Sequence, residues 1–149
     1  MEQETFAQYI VDTFEGLDIV VADGTSFYFY DPARDVPPDR RQPFATIVTN
    51  DLYDQASNLE RPGVYRLNVG VSRQTFQGLF GEEAPPADAA EAAARGYDLA
   101  ALDTILPHPV YGFMFWVCVL NPSDATFEAV KPLIAESYER AVRRHHSSH

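Results

Sequence analysis

The sequence predicts an α+β fold, in which one antiparallel twisted sheet of about five strands carries helices on one face. An amphipathic segment opens the chain, a longer one closes it, and short apolar segments separated by turn signals lie between them. Residues 64–72, VYRLNVGVS, alternate strictly, which is typical of a strand with one buried face. Residues 107–122, PHPVYGFMFWVCVLNP, are apolar at both parities, which indicates a strand inside the sheet.

The first half of the chain predicts a helix and then strands. Residues 5–14 place Phe6, Ile10, Val11 and Phe14 at helical spacing, and Gly16 ends this helix. The segments LDIVVA and SFYFYD flank Asp23-Gly24, a strong hairpin signal. A proline-rich loop leads to a third strand in QPFATIVTND, and a polar connection precedes VYRLNVGVS.

The second half predicts helices around one more strand. Ser72 caps a helix whose inner face carries Phe76, Leu79 and Phe80. An exposed Ala-rich helix is expected from about residue 87 to 94. The last helix runs to about residue 144 with an apolar side chain every three or four positions, and Pro132 predicts a kink or break inside it. We expect a single domain over residues 1–145 and a flexible polar tail at 146–149.

Composition narrows the classes of function. The net charge of −11 repels a phosphate backbone, so nucleic-acid binding is disfavoured. No apolar run is long enough to span a bilayer, and the acidic N-terminus is unlike a signal peptide, so a cytoplasmic protein without membrane contact is expected. The single cysteine, Cys118, excludes a disulfide framework and is expected to be a core residue. No nucleotide-binding or metal-ligand motif occurs, so we predict neither a cofactor nor a metal.

His108 lies between two prolines at the entrance to the apolar run, and two interpretations stay open. Its ring could hydrogen-bond a loop carbonyl and fix a corner, which we favour because a lone histidine without partner groups is weak support for catalysis. Alternatively, His108 could be the general acid or base of a small enzyme, assisted by Tyr111 or Arg66.

The polar face of VYRLNVGVS is the predicted binding surface. Arg66 and Asn68 share one face of this strand, and helices on the other side of the sheet would leave that face open. An arginine, an amide and tyrosines on an open sheet could grip a small anion bidentately. The alternative is an ordinary solvated face on which Arg66 pairs with an acid. The other predicted ligand-binding residues are Thr46, Tyr28, Tyr30 and Tyr111.

Two charged clusters have structural and functional interpretations. Arg40-Arg41 could pair with Asp35, Asp39 or Asp51 and fix their loop, or grip a phosphate. Asp51 and Asp54 could hold a cation, although turn formation and helix capping are the favoured roles of carboxylates in such a segment.

Several blocks together resemble a known family. The order YDP, PPDRRQPFATIVT, RPGVYRLNVGVS, HPVYGFMFWVCVLNP and TFEAVKPLIAESYERA, over about residues 5–142, resembles the family of unknown function DUF6194. More distantly, the strand carrying Trp116 and the helix ending LIAESYERA resemble the MmcQ/YjbR group. That resemblance implies a CyaY-like sheet covered by helices. DNA binding suggested for that group is not expected here, because this chain is acidic.

The leading hypothesis is therefore a non-enzymatic binding module. Its open sheet face would meet a small anionic ligand or a partner protein, and a homodimer is left open. A small enzyme using His108 is the alternative from another class, and nucleic-acid association is the third.

Overall fold

Six strands form one antiparallel sheet in a computed structural model that describes residues 1–148. The spatial order is β1-β2-β3-β4-β6-β5. The strands are β1 Leu17–Ala22, β2 Thr25–Tyr30, β3 Ala45–Val48, β4 Arg66–Gly70, β5 Ile105–Pro107 and β6 Trp116–Leu120. The helices are α1 Gln3–Thr13, α2 Arg73–Phe80, α3 Ala89–Ala94 and α4 Asp124–Ser148. Short 3₁₀ turns occupy Pro38–Arg40 and Gly112–Met114.

The hydrophobic core lies between one face of the sheet and the helices. Tyr28, Ala45, Val69 and Val117 are neighbours across four strands, and all four are buried. Helix α4 packs against this face over β2, β3 and β4. The predicted α+β class with one antiparallel sheet is confirmed, and this face is the one that the alternation in VYRLNVGVS predicts to be apolar.

The β1–β2 hairpin turns at the predicted dipeptide. Asp23 and Gly24 both have positive φ, 53° and 77°. A two-residue type I′ turn requires this conformation at both central positions, and an Asp-Gly pair adopts it at low cost.

The apolar run 107–122 is shorter as a strand than its sequence predicts. Strand β6 begins only at Trp116 and lies between β4 and β5, inside the sheet as expected. Residues 108–115 instead form a loop that reverses the chain between β5 and β6, with Phe115 in the left-handed region at φ 67°. The prediction of a strand over the whole run is wrong for residues 108–115, where the apolar side chains Val110, Tyr111, Phe113 and Met114 are 40–52% exposed.

Three further expectations differ from the structure. Helix α4 continues through Pro132, so the helix is not broken there. It also continues past residue 144, so residues 146–148 of the predicted tail are helical; His149 lies outside the described residues. Val11 and Leu79, expected on inner helix faces, are 49% and 39% exposed, because the buried stripe of each helix is narrower than its apolar pattern.

Within residues 1–148, no helix is both long enough and apolar enough to cross a membrane.

One hydroxyl joins α4 to the sheet. The Ser137 hydroxyl donates to the Phe44 carbonyl at 2.6 Å and accepts from the Gly70 amide at 3.3 Å. Phe44 directly precedes β3 and Gly70 ends β4, so this hydrogen-bond pair fixes the position of the helix relative to these two strands.

Candidate functional site

Two loops and the connection between β2 and β3 border a cavity of about 540 Å³ on the sheet face opposite the helices, and that connection contributes Arg41, Gln42 and Pro43. We call this cavity the sheet-face pocket. The first loop, residues 49–65, is anchored by Leu59, which packs against Val48 and Leu120. The second is the 108–115 turn between β5 and β6. The lining residues are Thr25, Phe27, Phe29, Arg41, Gln42, Pro43, Thr46, Val48, Tyr53, Asp54, Arg66, Asn68, His108, Val110, Tyr111, Met114 and Trp116.

Arg66 lies on the predicted face but is buried rather than open to solvent. Its side chain is 2% exposed and forms a bidentate ion pair with the Asp54 carboxylate. Nη1 lies 3.0 Å from Oδ1, and Nη2 lies 2.7 Å from Oδ2. Nη1 also donates to the Ser57 hydroxyl at 2.8 Å. The expectation of an open or solvated face is wrong at this position, because the 49–65 loop places a carboxylate over the strand. The predicted pairing of Arg66 with an acid is confirmed.

The ion pair changes the protonation of its acidic partner. Burial by itself raises the pKa of the Asp54 carboxyl, but the hydrogen bonds and the charge of Arg66 outweigh burial and hold that pKa below its usual range. Asp54 is therefore a carboxylate at neutral pH, and the pair carries no net charge.

A hydrogen-bonded polar strip continues from Arg66 across two strands. Arg66 Nε donates to Asn68 Oδ1 at 3.0 Å, and Asn68 Nδ2 donates to the Thr46 hydroxyl at 2.9 Å. Asn68 and Thr46 face each other across β3 and β4, and both are buried. The sequence prediction that Arg66, Asn68 and Thr46 share one face is confirmed.

His108 forms the corner of the 108–115 loop, and its ring is fixed from one side. Nδ1 accepts from the backbone amides of Val110 and Tyr111, each at 3.0 Å, and the His108 amide donates to the Trp116 carbonyl. A nitrogen that accepts two N–H bonds carries no proton, so the neutral ring bears its hydrogen on Nε2. Within residues 1–148, the His108 side chain has no other hydrogen-bond partner.

The buried position keeps His108 neutral. Burial, reinforced by the nearby positive charge of Arg66 and opposed by Asp54, lowers the pKa of His108 to about 3. The predicted structural role as a corner is confirmed, although the ring bonds backbone amides and not a carbonyl. The same residue also lines the pocket.

Aromatic rings form much of the pocket wall. Phe27 and Phe29 lie at alternate positions of β2 with nearly parallel rings, and Tyr53 meets Phe27 edge-on. The Arg41 guanidinium lies 3.9 Å above the centre of the Phe29 ring. Its charge is paired with Asp18 at 2.7 Å, so the expected pairing with Asp35, Asp39 or Asp51 is wrong for Arg41.

Tyr28 and Tyr30 lie on the opposite face from the one predicted. Tyr28 is in the core cluster, and Tyr30 packs against Tyr138 of α4. Side chains alternate along a strand, so their neighbours Phe27 and Phe29 face the pocket instead. Tyr111 lies at the mouth of the pocket, 49% exposed.

The remaining candidates have structural surroundings. Asp51 and Asp54 each accept a backbone amide within the 49–65 loop, as expected of turn formers. Cys118 is buried, and burial raises the pKa of its thiol to about 12, as expected of a core residue. In the described part of the chain, no three histidine, cysteine or acidic residues converge on a possible metal position.

Comparison with known proteins gives a family. The model of the family of unknown function DUF6194 matches residues 1–149. The chain belongs to the DUF6194 family. No curated protein and no solved structure matches it.

Sequence reasoning missed several pocket residues of this DUF6194 chain, chiefly Phe27, Phe29, Tyr53, Met114 and Trp116. Phe27 and Phe29 were detectable in principle from their parity relative to Thr46. The others come from loops or strand ends, whose side-chain directions depend on how the loops fold back. Chemically, the arrangement offers an aromatic cavity with one fixed imidazole donor and an ion pair in its floor.

Proposed function

We propose that this chain binds a small organic molecule in the sheet-face pocket. The observation that carries the proposal is a cavity of about 540 Å³ with aromatic walls and a few converging polar groups. Ligand sites in proteins have this size and this combination of apolar walls and sparse polar groups. Thr25 adds support: it is 1% exposed, it lines the pocket, and its hydroxyl lacks a hydrogen-bond partner in the described structure.

The small enzyme with His108 as general acid or base receives little support from this geometry. Nδ1 is occupied by two backbone amides, so it is not free to accept a proton from a substrate. With its pKa lowered to about 3, the ring is not a protonated acid at neutral pH either. The arrangement favours a hydrogen-bond donor over a proton-transfer group.

Nucleic-acid association also receives little support. The net charge of −11 opposes it, and the resemblance to the MmcQ/YjbR group adds no weight because no solved structure matches the chain. A partner protein and a homodimer stay predictions, which the mass of the protein in solution would test with and without ligand.

The binding proposal is tested with a library of small organic molecules. Trp116 is the sole tryptophan of the chain and lines the pocket, so its fluorescence reports occupancy directly. We expect at least one compound class to change Trp116 emission and to raise the melting temperature, since a ligand that binds only the folded state stabilises it. A library that changes neither quantity contradicts the proposal.

Two rim residues give a matched pair of variants. Tyr111 and Phe113 lie in the same turn and are 49% and 52% exposed, but only Tyr111 lines the pocket. We expect Tyr111→Ala to weaken a library hit about tenfold through lost aromatic contact, and Phe113→Ala to leave its affinity unchanged within about twofold. Equal losses in both variants would place binding outside the pocket.

A further inference from the structure

We infer that the sheet-face pocket takes an uncharged aromatic molecule that accepts a hydrogen bond from His108 Nε2–H. This inference rests on the proposed binding function and specifies its ligand. Charge, the fixed donor and the composition of the wall each contribute to it.

The first step concerns charge. Of the residues lining the pocket in the described chain, Arg41, Asp54 and Arg66 are charged. Asp54 neutralises Arg66 through both terminal guanidinium nitrogens, Nη1 and Nη2, and Asp18 pairs with Arg41. An ionised ligand would lose its hydration shell without meeting an uncompensated opposite charge, which is unfavourable. A carboxylate that reached Arg66 would have to displace Asp54. Arg41 has a buried Nε without a hydrogen-bond partner in the described structure, but its charge is already paired with Asp18 through Nη2. An uncharged ligand therefore suits the pocket better than the anion predicted from the sequence.

The second step concerns His108. Its two backbone hydrogen bonds fix both the orientation of the ring and the nitrogen that carries the proton. The Nε2–H group on the other side of the ring donates a hydrogen bond to no residue in the described structure. A ligand group that excludes water from such a donor without replacing its hydrogen bond loses affinity, so the ligand must supply an acceptor such as a carbonyl oxygen.

The third step concerns the wall. Five aromatic rings line the pocket, from Phe27, Phe29, Tyr53, Tyr111 and Trp116. The near-parallel pair on β2 and the edge-on Tyr53 ring present both faces and edges of π-systems. A flat aromatic ligand can stack on such faces and meet such edges favourably, whereas an aliphatic ligand gains only buried area.

Three naphthalenes of similar shape test the inference: 2-acetonaphthone, 2-ethylnaphthalene and 2-naphthoate. They carry a neutral acceptor, no acceptor and a negative charge. Titrations followed through the Trp116 indole N–H signal in NMR spectra give three dissociation constants. We expect the ketone to bind about tenfold more tightly than the hydrocarbon and at least about tenfold more tightly than the carboxylate.

Each other outcome overturns the inference. Equal affinity of the ketone and the hydrocarbon would show that His108 donates no hydrogen bond to the ligand, although the pocket binds both compounds. If 2-naphthoate bound most tightly, the preferred ligand would be an anion. Binding of none of the three excludes this ligand class, while the library screen separately decides whether the pocket binds anything.

The variant His108→Asn isolates the donor. The asparagine side-chain oxygen can accept the two loop amides in an Asx-type turn. The donors on asparagine Nδ2 lie one bond nearer to the backbone than histidine Nε2, so the variant has no donor at the position of Nε2–H. We expect the advantage of the ketone over the hydrocarbon to fall to about onefold, whatever change the smaller side chain makes to the affinity for both compounds. A retained ketone advantage contradicts the inference.

Should the variant fail to fold, the wild-type protein supplies the decisive measurement. Nitrogen-15 NMR of the imidazole reports which nitrogen is protonated. We expect the Nε2–H form, with the Nε2 signal moving on addition of 2-acetonaphthone and staying still on addition of 2-ethylnaphthalene. A proton on Nδ1, or equal movement with both compounds, would overturn the assignment.

Discussion

His108 shows how one residue can have a structural and a binding role at once. One ring nitrogen accepts the two amides that hold the 108–115 loop, and the other keeps its proton beside the pocket. The flanking prolines lack amide hydrogens and restrict the backbone, so the loop amides nearest to the ring come from Val110 and Tyr111. The corner therefore fixes the direction of the donor.

The lowered pKa of His108 predicts a loss of stability in acid. Between its ordinary pKa of 6.5 and about 3, the unfolded chain binds a proton at this position that the folded chain does not. Stability from this group is present above pH 6.5 and is lost as the pH falls, by about 1.4 kcal/mol per pH unit inside that window. Urea denaturation at several pH values measures the slope.

His108→Asn is the matched control for that slope. Carboxylate contributions are common to both proteins, so the difference between wild type and variant isolates the imidazole. We expect the free energy of unfolding of the variant to fall less steeply between about pH 6 and pH 4. Identical slopes would mean that the folded protein admits a proton at His108.

At the scale of single elements, the close packing of β4 against β6 shapes the pocket floor. Gly70 pairs with Trp116 across these strands. A Cβ on Gly70 would lie 2.9 Å from the nearest indole atom, so the glycine makes room for the ring to lie against the strand. The position of Trp116 in the pocket thus depends on a residue that has no side chain of its own.

Gly70→Ala is expected to displace the indole. We predict a loss of about 1–3 kcal/mol in the free energy of unfolding from overpacking, together with altered Trp116 emission. Gly78→Ala is the control: Gly78 lies in α2, a Cβ there meets no atom within 4 Å, and a gain of about 0.5–1 kcal/mol is expected. Unchanged emission in Gly70→Ala would contradict this account of the floor.

Elements with a clear alternation could be predicted, and those without it could not. In VYRLNVGVS only one parity is apolar, so the core face, Arg66 and Asn68 were assigned correctly. In SFYFYD the side chains on both faces of the strand are aromatic, so the sequence does not show whether Tyr28 or Phe27 faces the core. The prediction that Tyr28 lies on the polar face is therefore wrong. The run after His108 is apolar throughout, so nothing local distinguishes its exposed loop from strand β6.

At the scale of the whole molecule, the pocket is assembled from segments distant in the sequence. The Arg66–Asp54 pair ties the 49–65 loop to the sheet, and Arg41 reaches Asp18 across 23 positions. Such pairings depend on tertiary placement, which is why the sequence predicted the floor residues Arg66, Asn68 and Thr46 but not the cover above them.

Asp54→Asn tests the tie between loop and sheet. The variant leaves a buried guanidinium without its counter-charge, and we expect the free energy of unfolding to fall by about 3–5 kcal/mol. Glu128→Gln breaks the exposed pair with Lys131 and should cost no more than about 0.5 kcal/mol. Chemical denaturation compares the two, and similar small losses would show that contacts other than the Arg66–Asp54 pair hold the loop, such as the Leu59 packing and the Arg61–Ala100 hydrogen bond.

The burial of Cys118, the single cysteine of the sequence, affects how the protein reacts with oxidants. Cys118 lies in β6 against the Pro107 carbonyl, and burial keeps it a protonated thiol. The thiolate is the form that attacks peroxide and disulfide reagents, so folded molecules should not cross-link through Cys118 in oxidising conditions. Only a molecule whose β5–β6 pairing has opened would present a sulfur that can react.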